Sequence, residues 1–150
     1  MYRLYFWAKR VIKNEKNSVI LHRLAEKIIG HIEAYYNLFV KKMYIKHPSD
    51  KIGITVKKRE QKIIVSLTSF PKRIDTLWIT IETLLRQSMK PDEIILWLAE
   101  EQFNGIDSLP KALLEQQKRG LTIRFCDDLR SHKKYYYTMQ EYPRDIVILV

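Results

Sequence analysis

Cysteine is nearly missing from this 150-residue chain, in which Cys126 stands alone. A single cysteine excludes an internal disulfide and a cysteine-rich zinc site, and it favours a reducing compartment. No run of residues approaches the roughly 18 to 20 consecutive apolar positions that a membrane span needs. The N-terminus also lacks an apolar core followed by a small-residue cleavage site. We therefore expect a cytoplasmic protein, or one held peripherally at the inner face of the cytoplasmic membrane.

Glycine is scarce as well, with 4 residues in the chain. No Gly-x-Gly-x-x-Gly follows the first apolar run and no Gly-x-x-x-x-Gly-Lys-Ser/Thr occurs, so the dinucleotide-binding and P-loop classes lose their main signals. A Gly-x-Ser-x-Gly nucleophile elbow is missing too. Ser66 lies inside a predicted strand, and a Ser-His-Asp triad would have to recruit His132 without any local signature. These absences argue against a serine-hydrolase site.

The charge of the chain is unevenly distributed. The net charge is +10, and residues 1–62 hold 15 Lys and Arg against 5 Asp and Glu, whereas residues 63–150 hold 12 against 12. Apolar residues make up 46% and charged residues 29%, as in an ordinary globular protein. At this length a single domain is the default. All the excess positive charge therefore precedes the first predicted strand.

The first part of the chain is predicted to be helical. Between residues 2 and 12, aromatic residues alternate with Arg and Lys, which suits either an interfacial helix or a short helix packed on the domain. Asn17 or Ser18 can serve as the N-cap of a second helix that runs to about Met43. Its apolar positions have helical spacing and are expected to contact the core or a partner: Leu21, Leu24, Ile28, Ile32, Tyr35, Phe39 and Met43. The composition of residues 46–62 indicates a linker.

From residue 63 onward, short apolar runs alternate with helical patterns. The predicted strands cover residues 63–67, 94–98, 121–126 and 145–150, and the predicted helices cover residues 74–88, 110–120 and 134–141. A βαβαβαβ order with short loops predicts a parallel sheet with right-handed crossovers. The expected fold class is therefore α/β, a Rossmann-like parallel sheet preceded by basic amphipathic helices.

Polar and charged side chains follow the predicted strands, at the edge where open α/β sheets bind ligands. They are Thr68, Ser69, Lys72 and Arg73 after the first strand, Glu100 and Glu101 after the second, and Asp127, Asp128, Arg130, Lys133 and Lys134 after the third. Basic side chains at such an edge can hold a diphosphate, and an acidic one can accept hydrogen bonds from a base or ribose. Their shared position favours a nucleotide site.

The same residues resemble those of a known family. The segments Lys62–Arg73, Lys90–Leu98, Leu109–Pro110 and Asp127–Lys134 are similar to bacterial glycosyltransferases of the GT-A fold, family two-like enzymes of capsule and surface-polysaccharide synthesis. The resemblance covers residues 62–150. It implies an enzyme that transfers a sugar from a nucleotide-diphosphate sugar to a polysaccharide or glycan acceptor.

The resemblance also implies a nucleotide-sugar site. Its residues would be Thr68, Ser69, Arg73, Asp127, Asp128, Lys133 and Lys134. In that family the turn after the first strand faces the nucleotide, and an acid at the end of an early strand contacts the base. One of the two aspartates matches that acid, and the two lysines match the segment near the ribose and phosphates.

The family's metal motif would fall outside this chain. Its Asp-x-Asp motif binds Mn²⁺ or Mg²⁺ together with the diphosphate, and it would come directly after Val150. The leaving nucleoside diphosphate needs such a divalent ion with oxygen ligands. We therefore expect residues 62–150 to be the N-terminal half of the domain, truncated at the strand before this motif, with no metal bound by this chain. The catalytic residues would also lie beyond Val150.

Two other interpretations stay open. Residues 1–62 could make the protein a non-catalytic module that binds a membrane surface or nucleic acid, since excess positive charge and aromatic residues suit both. Because zinc-finger, KH and RRM signatures are missing, we expect no nucleic-acid partner, and peripheral contact with anionic membrane through residues 1–45. The other interpretation is a complete flavodoxin-like regulatory domain, against which the unpaired apolar final strand argues.

Overall fold

The computed structural model describes residues 2–14 and 18–150. The chain divides into two compact units, Met1–Pro48 and Ser49–Val150. The first unit is a pair of helices and the second is a parallel sheet with helices on both faces. Within the described residues, no helix is both long enough and apolar enough to cross a membrane. Asn17, one of the two predicted N-caps, lies outside the described residues.

The first unit consists of α1, Tyr2–Lys13, and α2, Val19–Lys46. Ser18 caps α2, as predicted, because its hydroxyl accepts a hydrogen bond from the backbone N–H of Leu21 at 3.3 Å. Ala8 of α1 and Ala25 of α2 are completely buried where the helices meet. Small side chains at this point let the two backbones approach closely, and α1 is thereby packed along the first half of α2.

Much of α2 is not covered by α1. At a rise of 1.5 Å per residue, the 12 residues of α1 extend about 18 Å and the 28 residues of α2 about 42 Å. Tyr35 and Phe39 therefore stay 53% and 50% exposed. Leu24 is also 50% exposed, because the buried face of α2 is centred on Ala25 and Ile29. The stripe was predicted to contact the core or a partner, and these three side chains do not pack in the core of the first unit, so for them contact with a partner stays a prediction.

The second unit contains β1 (Ile63–Thr68), α3 (Pro71–Leu85), β2 (Glu93–Ala99), α4 (Lys111–Leu114), β3 (Leu121–Cys126), α5 (Lys133–Glu141) and β4 (Ile146–Leu149). Its strands are parallel and lie in the order β3-β2-β1-β4. The predicted α/β fold with a Rossmann-like parallel sheet is therefore confirmed. The helix predicted to run to Gly120 differs, since its α-helical part ends at Leu114 and a 3-10 segment, Glu115–Arg119, follows. Gly120 ends that segment with φ of 114°, a left-handed conformation that glycine tolerates.

Successive residues of each strand face opposite sides of the sheet. The side beneath α3 and α4 is the larger apolar core, and its strand residues are Val65, Leu67, Ile94, Leu96, Leu98 and Leu121. The side beneath α5 is smaller and includes Ile64, Ile95, Trp97 and Cys126. Buried Ser66 also faces α5. The helix that borders the candidate site is thus held by a mixed apolar and polar core.

Strand β4 pairs with β1 alone among the described strands and forms one edge of the sheet. Ile64 lies opposite Glu93 of β2 and opposite Val147 of β4. Ile146 and Ile148 on this edge strand are exposed. Strand β1 therefore lies between β2, which follows it closely in the chain, and β4, which is much further along the chain.

Residues 49–62, which the composition indicated as a linker, pack on the sheet unit instead. Hydrogen bonds join the backbone N–H of Gly53 to the carbonyl of Arg119 and the N–H of Thr55 to the carbonyl of Pro91, each at 2.8 Å. Gly53 lies so close to α3 that an added Cβ would be 2.7 Å from the Cα of Leu85. The second unit accordingly begins at Ser49.

A buried carboxylate that the sequence did not reveal connects α3 to the 3-10 segment before β3. Glu82 is 5% exposed and accepts hydrogen bonds from Arg86 Nε at 2.6 Å and Arg119 Nη1 at 2.5 Å. Gln116 Nε2 donates to the same carboxylate at 3.2 Å. Burial acts to raise the pKa of Glu82, but these donors hold it below its ordinary value. Glu82 is therefore an ionised anchor between two elements.

Candidate functional site at the carboxyl edge of the sheet

The first group of predicted site residues lies at the carboxyl end of β1. In the order β3-β2-β1-β4 the chain fills one side of β1 and then crosses to the other, and a ligand crevice opens at such a switch point. Thr68 ends β1, and its hydroxyl donates a hydrogen bond to the carbonyl of Trp97 at 2.7 Å. Ser69 follows and is 6% exposed. The Thr68 hydroxyl is therefore engaged with β2, and buried Ser69 leads from the end of β1 into α3.

The N-terminus of α3 adjoins this turn. Phe70 is its N-cap in an extended conformation, and a phenylalanine ring offers no acceptor for the first backbone N–H groups. Pro71 occupies the first helical turn, where its missing N–H costs nothing. Lys72 and Arg73 are exposed, and the Arg73 guanidinium carbon lies 5.6 Å from the centre of the Phe70 ring. Positive charge is thus concentrated beside the end of β1.

Asp128, beyond the end of β3, is held by three donors. It accepts hydrogen bonds from Lys133 Nζ at 2.6 Å, from Gln102 Nε2 at 2.6 Å and from the backbone N–H of Arg130 at 2.8 Å. The hydrogen bond from Lys133, together with the other two, lowers the pKa of Asp128. Lys133 itself is 2% exposed. The acid and the lysine therefore form a structural pair at the start of α5.

An open cleft of about 730 Å³ lies beside this pair. Its lining residues are Asp127, Asp128, Leu129, Arg130, His132, Tyr135, Tyr136, Tyr137 and Gln140, and we call it the α5 cleft. Arg130 has φ of 53°, the one positive value for a residue other than glycine in the described part of the chain. Such a conformation carries a backbone cost and recurs at ligand-binding turns.

Aromatic side chains form one wall of the α5 cleft. The rings of Tyr136 and Tyr137 meet edge to face with centres 5.1 Å apart, and Tyr137 also packs on Trp97 at 5.2 Å. The hydroxyl of Tyr135 is 2.9 Å from Nδ1 of His132. Asp127 is exposed at the same place, and among the described residues its carboxylate has no ion pair. The cleft combines flat apolar surface with an acceptor that a ligand can reach.

Buried hydrogen bonds fix α5 to the sheet. The hydroxyl of Ser66 donates to the carbonyl of Lys134, so the 2.8 Å hydrogen bond between Ser66 and Thr138 has Thr138 as donor. Trp97 Nε1 donates to the Thr138 hydroxyl at 2.7 Å. This network positions Lys134, whose Nζ lies 3.1 Å from the carbonyl of Val150 at the end of β4.

The structure divides the predicted site residues into separate groups. Those at the switch point are Thr68, Ser69, Arg73 and Lys134, those in the α5 cleft are Asp127 and Asp128, and Lys133 is buried beneath the cleft. Two strand spacings, about 10 Å, separate the ends of β1 and β3. Sequence reasoning did not assign the tyrosines of the cleft, although the run Tyr135–Tyr137 directly after a charged loop was a usable signal.

Cys126 at the end of β3 has no nucleophilic character. It is buried, its Sγ lies 3.6 Å from the carbonyl of Leu98, and burial raises the pKa of its thiol to about 11. At neutral pH the thiol is therefore protonated, whereas nucleophilic cysteines act as thiolates. Its role here is to fill the core beneath α5.

Across residues 2–14 and 18–150, no three His, Cys, Asp or Glu side chains lie together so that they could hold a metal ion.

Comparison of the chain with protein-family models, curated proteins and solved structures gives no match. The candidate site is therefore defined by its own geometry.

Proposed function

We propose that Ser49–Val150 binds a nucleotide-diphosphate sugar and is the donor-binding part of a glycosyltransferase. The observation that carries the proposal is the β3-β2-β1-β4 parallel sheet with the Thr68–Ser69 turn at its switch point. Ligands of open α/β sheets bind at this location. In the proposed role the sugar passes to a glycan acceptor in the synthesis of a cell-surface polysaccharide.

The α5 cleft suits the nucleoside. A base can stack on a tyrosine ring of the cleft wall, and the exposed carboxylate of Asp127 can accept hydrogen bonds from base N–H groups or ribose hydroxyls. Asp128 already has three donors, so its role is to shape the turn that presents Asp127. Between the two predicted acids we therefore assign contact with the nucleoside to Asp127.

The switch point suits the diphosphate. The backbone of Ser69, the uncapped N-terminus of α3 and the guanidinium of Arg73 supply donors and positive charge beside the end of β1. Lys134 adds a further cation near the end of β4. The separation of about 10 Å between the two groups equals two strand spacings, a distance that a nucleoside diphosphate can bridge.

Titration of the 150-residue chain with UDP, GDP and dTDP by isothermal calorimetry tests this proposal. We expect at least one of the three to bind with Kd below about 1 mM. Asp127→Asn and Arg73→Ala should each weaken that binding about 10- to 100-fold, the loss expected for one hydrogen bond to a charged group. As matched controls, Asp50→Asn and Arg144→Ala change exposed residues outside the two proposed groups.

The controls should alter Kd by less than about twofold, as surface substitutions away from a site usually do. If none of the three nucleotides binds at several millimolar, the proposed function is wrong. If the controls weaken binding as much as the site variants, the nucleotide is held by overall positive charge and the assignment of the site is wrong.

A further inference from the structure

The side of α1 that faces away from α2 carries aromatic and cationic side chains together. Arg3, Phe6, Trp7 and Arg10 follow the spacing i, i+3, i+4, i+7, which places them on one face of a helix. Phe6 is 52% exposed and Trp7 is 44% exposed. Both arginines are exposed as well. We call these four residues the outer face of α1.

Contacts within the first unit fix this orientation. Ala8 and Val11 are buried against α2, and the hydroxyl of Tyr5 donates to Glu33 Oε1 at 3.2 Å. The Lys9 side chain also extends towards α2, because its Nζ lies 3.9 Å from Glu33 Oε1 and 5.4 Å from the centre of the Tyr5 ring. The packed side of α1 is thereby occupied. On the outer face, Phe6 meets the Tyr5 ring edge to face with centres 5.8 Å apart, and both Phe6 and Trp7 keep about half of their surface exposed.

We propose that the outer face of α1 docks on the surface of a bilayer that contains anionic lipid. Exposed Phe and Trp rings can enter the headgroup region of such a bilayer, and flanking guanidinium groups can bind lipid phosphates. Charge complementarity supports this partner, since residues 1–48 contain 10 Lys and Arg against 3 Asp and Glu.

Aromatic rings and arginine can also stack on bases, so the choice between a membrane and a nucleic acid depends on how these side chains are arranged. Phe6 and Trp7 lie side by side between the two arginines, as in an interfacial helix whose rings enter the headgroup region and whose cations bind lipid phosphates. Leu4 and Ile12 are exposed as well, but they share the helical spacing of Ala8 and so lie on the side of α1 that packs on α2. The 12 residues of α1 are too few to span a bilayer, so the helix lies in the plane of the interface.

Vesicle flotation of the full chain tests this inference. The vesicles contain phosphatidylcholine alone, or phosphatidylcholine with about one third phosphatidylglycerol. We expect flotation with the anionic vesicles and at least about tenfold weaker partitioning for Arg3→Glu/Arg10→Glu, because each cation near an anionic surface contributes appreciably. Phe6→Ser/Trp7→Ser should also weaken partitioning about tenfold or more while leaving the net charge of +10 unchanged.

The double reversal Lys57→Glu/Lys58→Glu is the matched control, since it makes the same change in net charge on exposed residues of the second unit. Circular dichroism at 222 nm checks that every variant keeps its helices. Loss of flotation in this control equal to that of the arginine reversal would overturn the assignment to α1. The proposal is also wrong if the chain ignores anionic vesicles or binds single-stranded poly(U) in their place.

Discussion

Lys133 Nζ lies 2.6 Å from Asp128 Oδ1, and the lysine side chain is 3% exposed whereas the aspartate side chain is 22% exposed. The pair is therefore asymmetric, because loss of the acid leaves a buried ammonium without a counter-charge. Loss of the lysine leaves a carboxylate that water can reach and that keeps its other donors. The two partners should accordingly differ in how much their removal costs.

We predict that Asp128→Asn lowers the free energy of unfolding clearly more than Lys133→Met, whose cost should be about 1 kcal/mol. Urea unfolding followed by circular dichroism measures both. Asp127→Asn is the matched control next in the chain, and because Asp127 is exposed it should change stability by less than about 0.5 kcal/mol. Equal losses for Asp128→Asn and Lys133→Met would contradict the asymmetry.

The contribution of Glu82 to the free energy of unfolding should depend on pH. Its folded pKa lies below its ordinary value of 4.5, so the stability it contributes is fully present above that value and is lost as pH falls through the folded pKa. We expect Glu82→Gln to cost about 3 kcal/mol at pH 7, because Arg119 would stay buried without a carboxylate. The difference between wild type and variant should shrink as the pH is lowered from 4.5 towards 2.

Urea unfolding at several pH values tests the Glu82 prediction, with Glu115→Gln as control. Glu115 is 60% exposed and pairs with Lys111 at 3.9 Å, so its replacement should cost less than about 0.5 kcal/mol. A difference between wild type and Glu82→Gln that stays constant from pH 7 to pH 2 would show that the ionised carboxylate is not the source of the stability.

Thr138 holds the indole of Trp97 through its hydroxyl. Thr138→Val keeps the shape of the side chain but leaves the buried Trp97 N–H without its acceptor, and it should cost about 2 kcal/mol. Thr138→Ser keeps the acceptor and loses one methyl group, so its cost should be about 1 kcal/mol. Urea unfolding gives the two values, and near-ultraviolet circular dichroism reports the packing of Trp97. A Val variant as stable as the Ser variant would mean that this hydrogen bond contributes little.

Two glycine-to-alanine substitutions should have opposite effects. At Gly53 a Cβ would lie 2.7 Å from the backbone Cα of Leu85, so Gly53→Ala should destabilise the second unit by about 2 kcal/mol. At Gly30, inside α2, nothing lies within 4 Å of an added Cβ, and Gly30→Ala should favour the helix by about 0.5 to 1 kcal/mol. Thermal unfolding followed at 222 nm measures both. A harmless Gly53→Ala would contradict the close packing of residues 49–62.

The strands were predictable because their apolar runs are continuous. Ile94 to Leu98 are buried on both sides of the sheet and contain no polar residue, so β2 was located within one residue at each end. Gly120 and Ser18 marked element ends because each has one well-defined conformational role. The parallel sheet then followed from the alternation of strands and helices.

The remaining features depend on contacts between distant positions. Nothing local distinguishes buried Glu82 from an exposed glutamate, since its partner Arg119 is 37 residues away. The same holds for Lys133, which was expected near phosphates but is buried against Asp128. Residues 49–62 have the composition of a linker, and their packing becomes visible only with the sheet in place. Sequence spacing predicted that these polar residues follow the carboxyl ends of the strands. Their solvent exposure, which differs between exposed Asp127 and buried Lys133, depends on the folded structure.

The two pairings of β1 have a consequence for the order in which the sheet assembles. Hydrogen bonds beside the β1–β2 pairing join residues 29 positions apart, and those beside the β1–β4 pairing join residues 83 positions apart. Closing the longer loop costs about 1 kcal/mol more in chain entropy. We therefore expect β3, β2 and β1 to associate first and β4 to join last. The switch point would then be completed at the end of folding, so the nucleotide binding that we propose would report the fully assembled sheet.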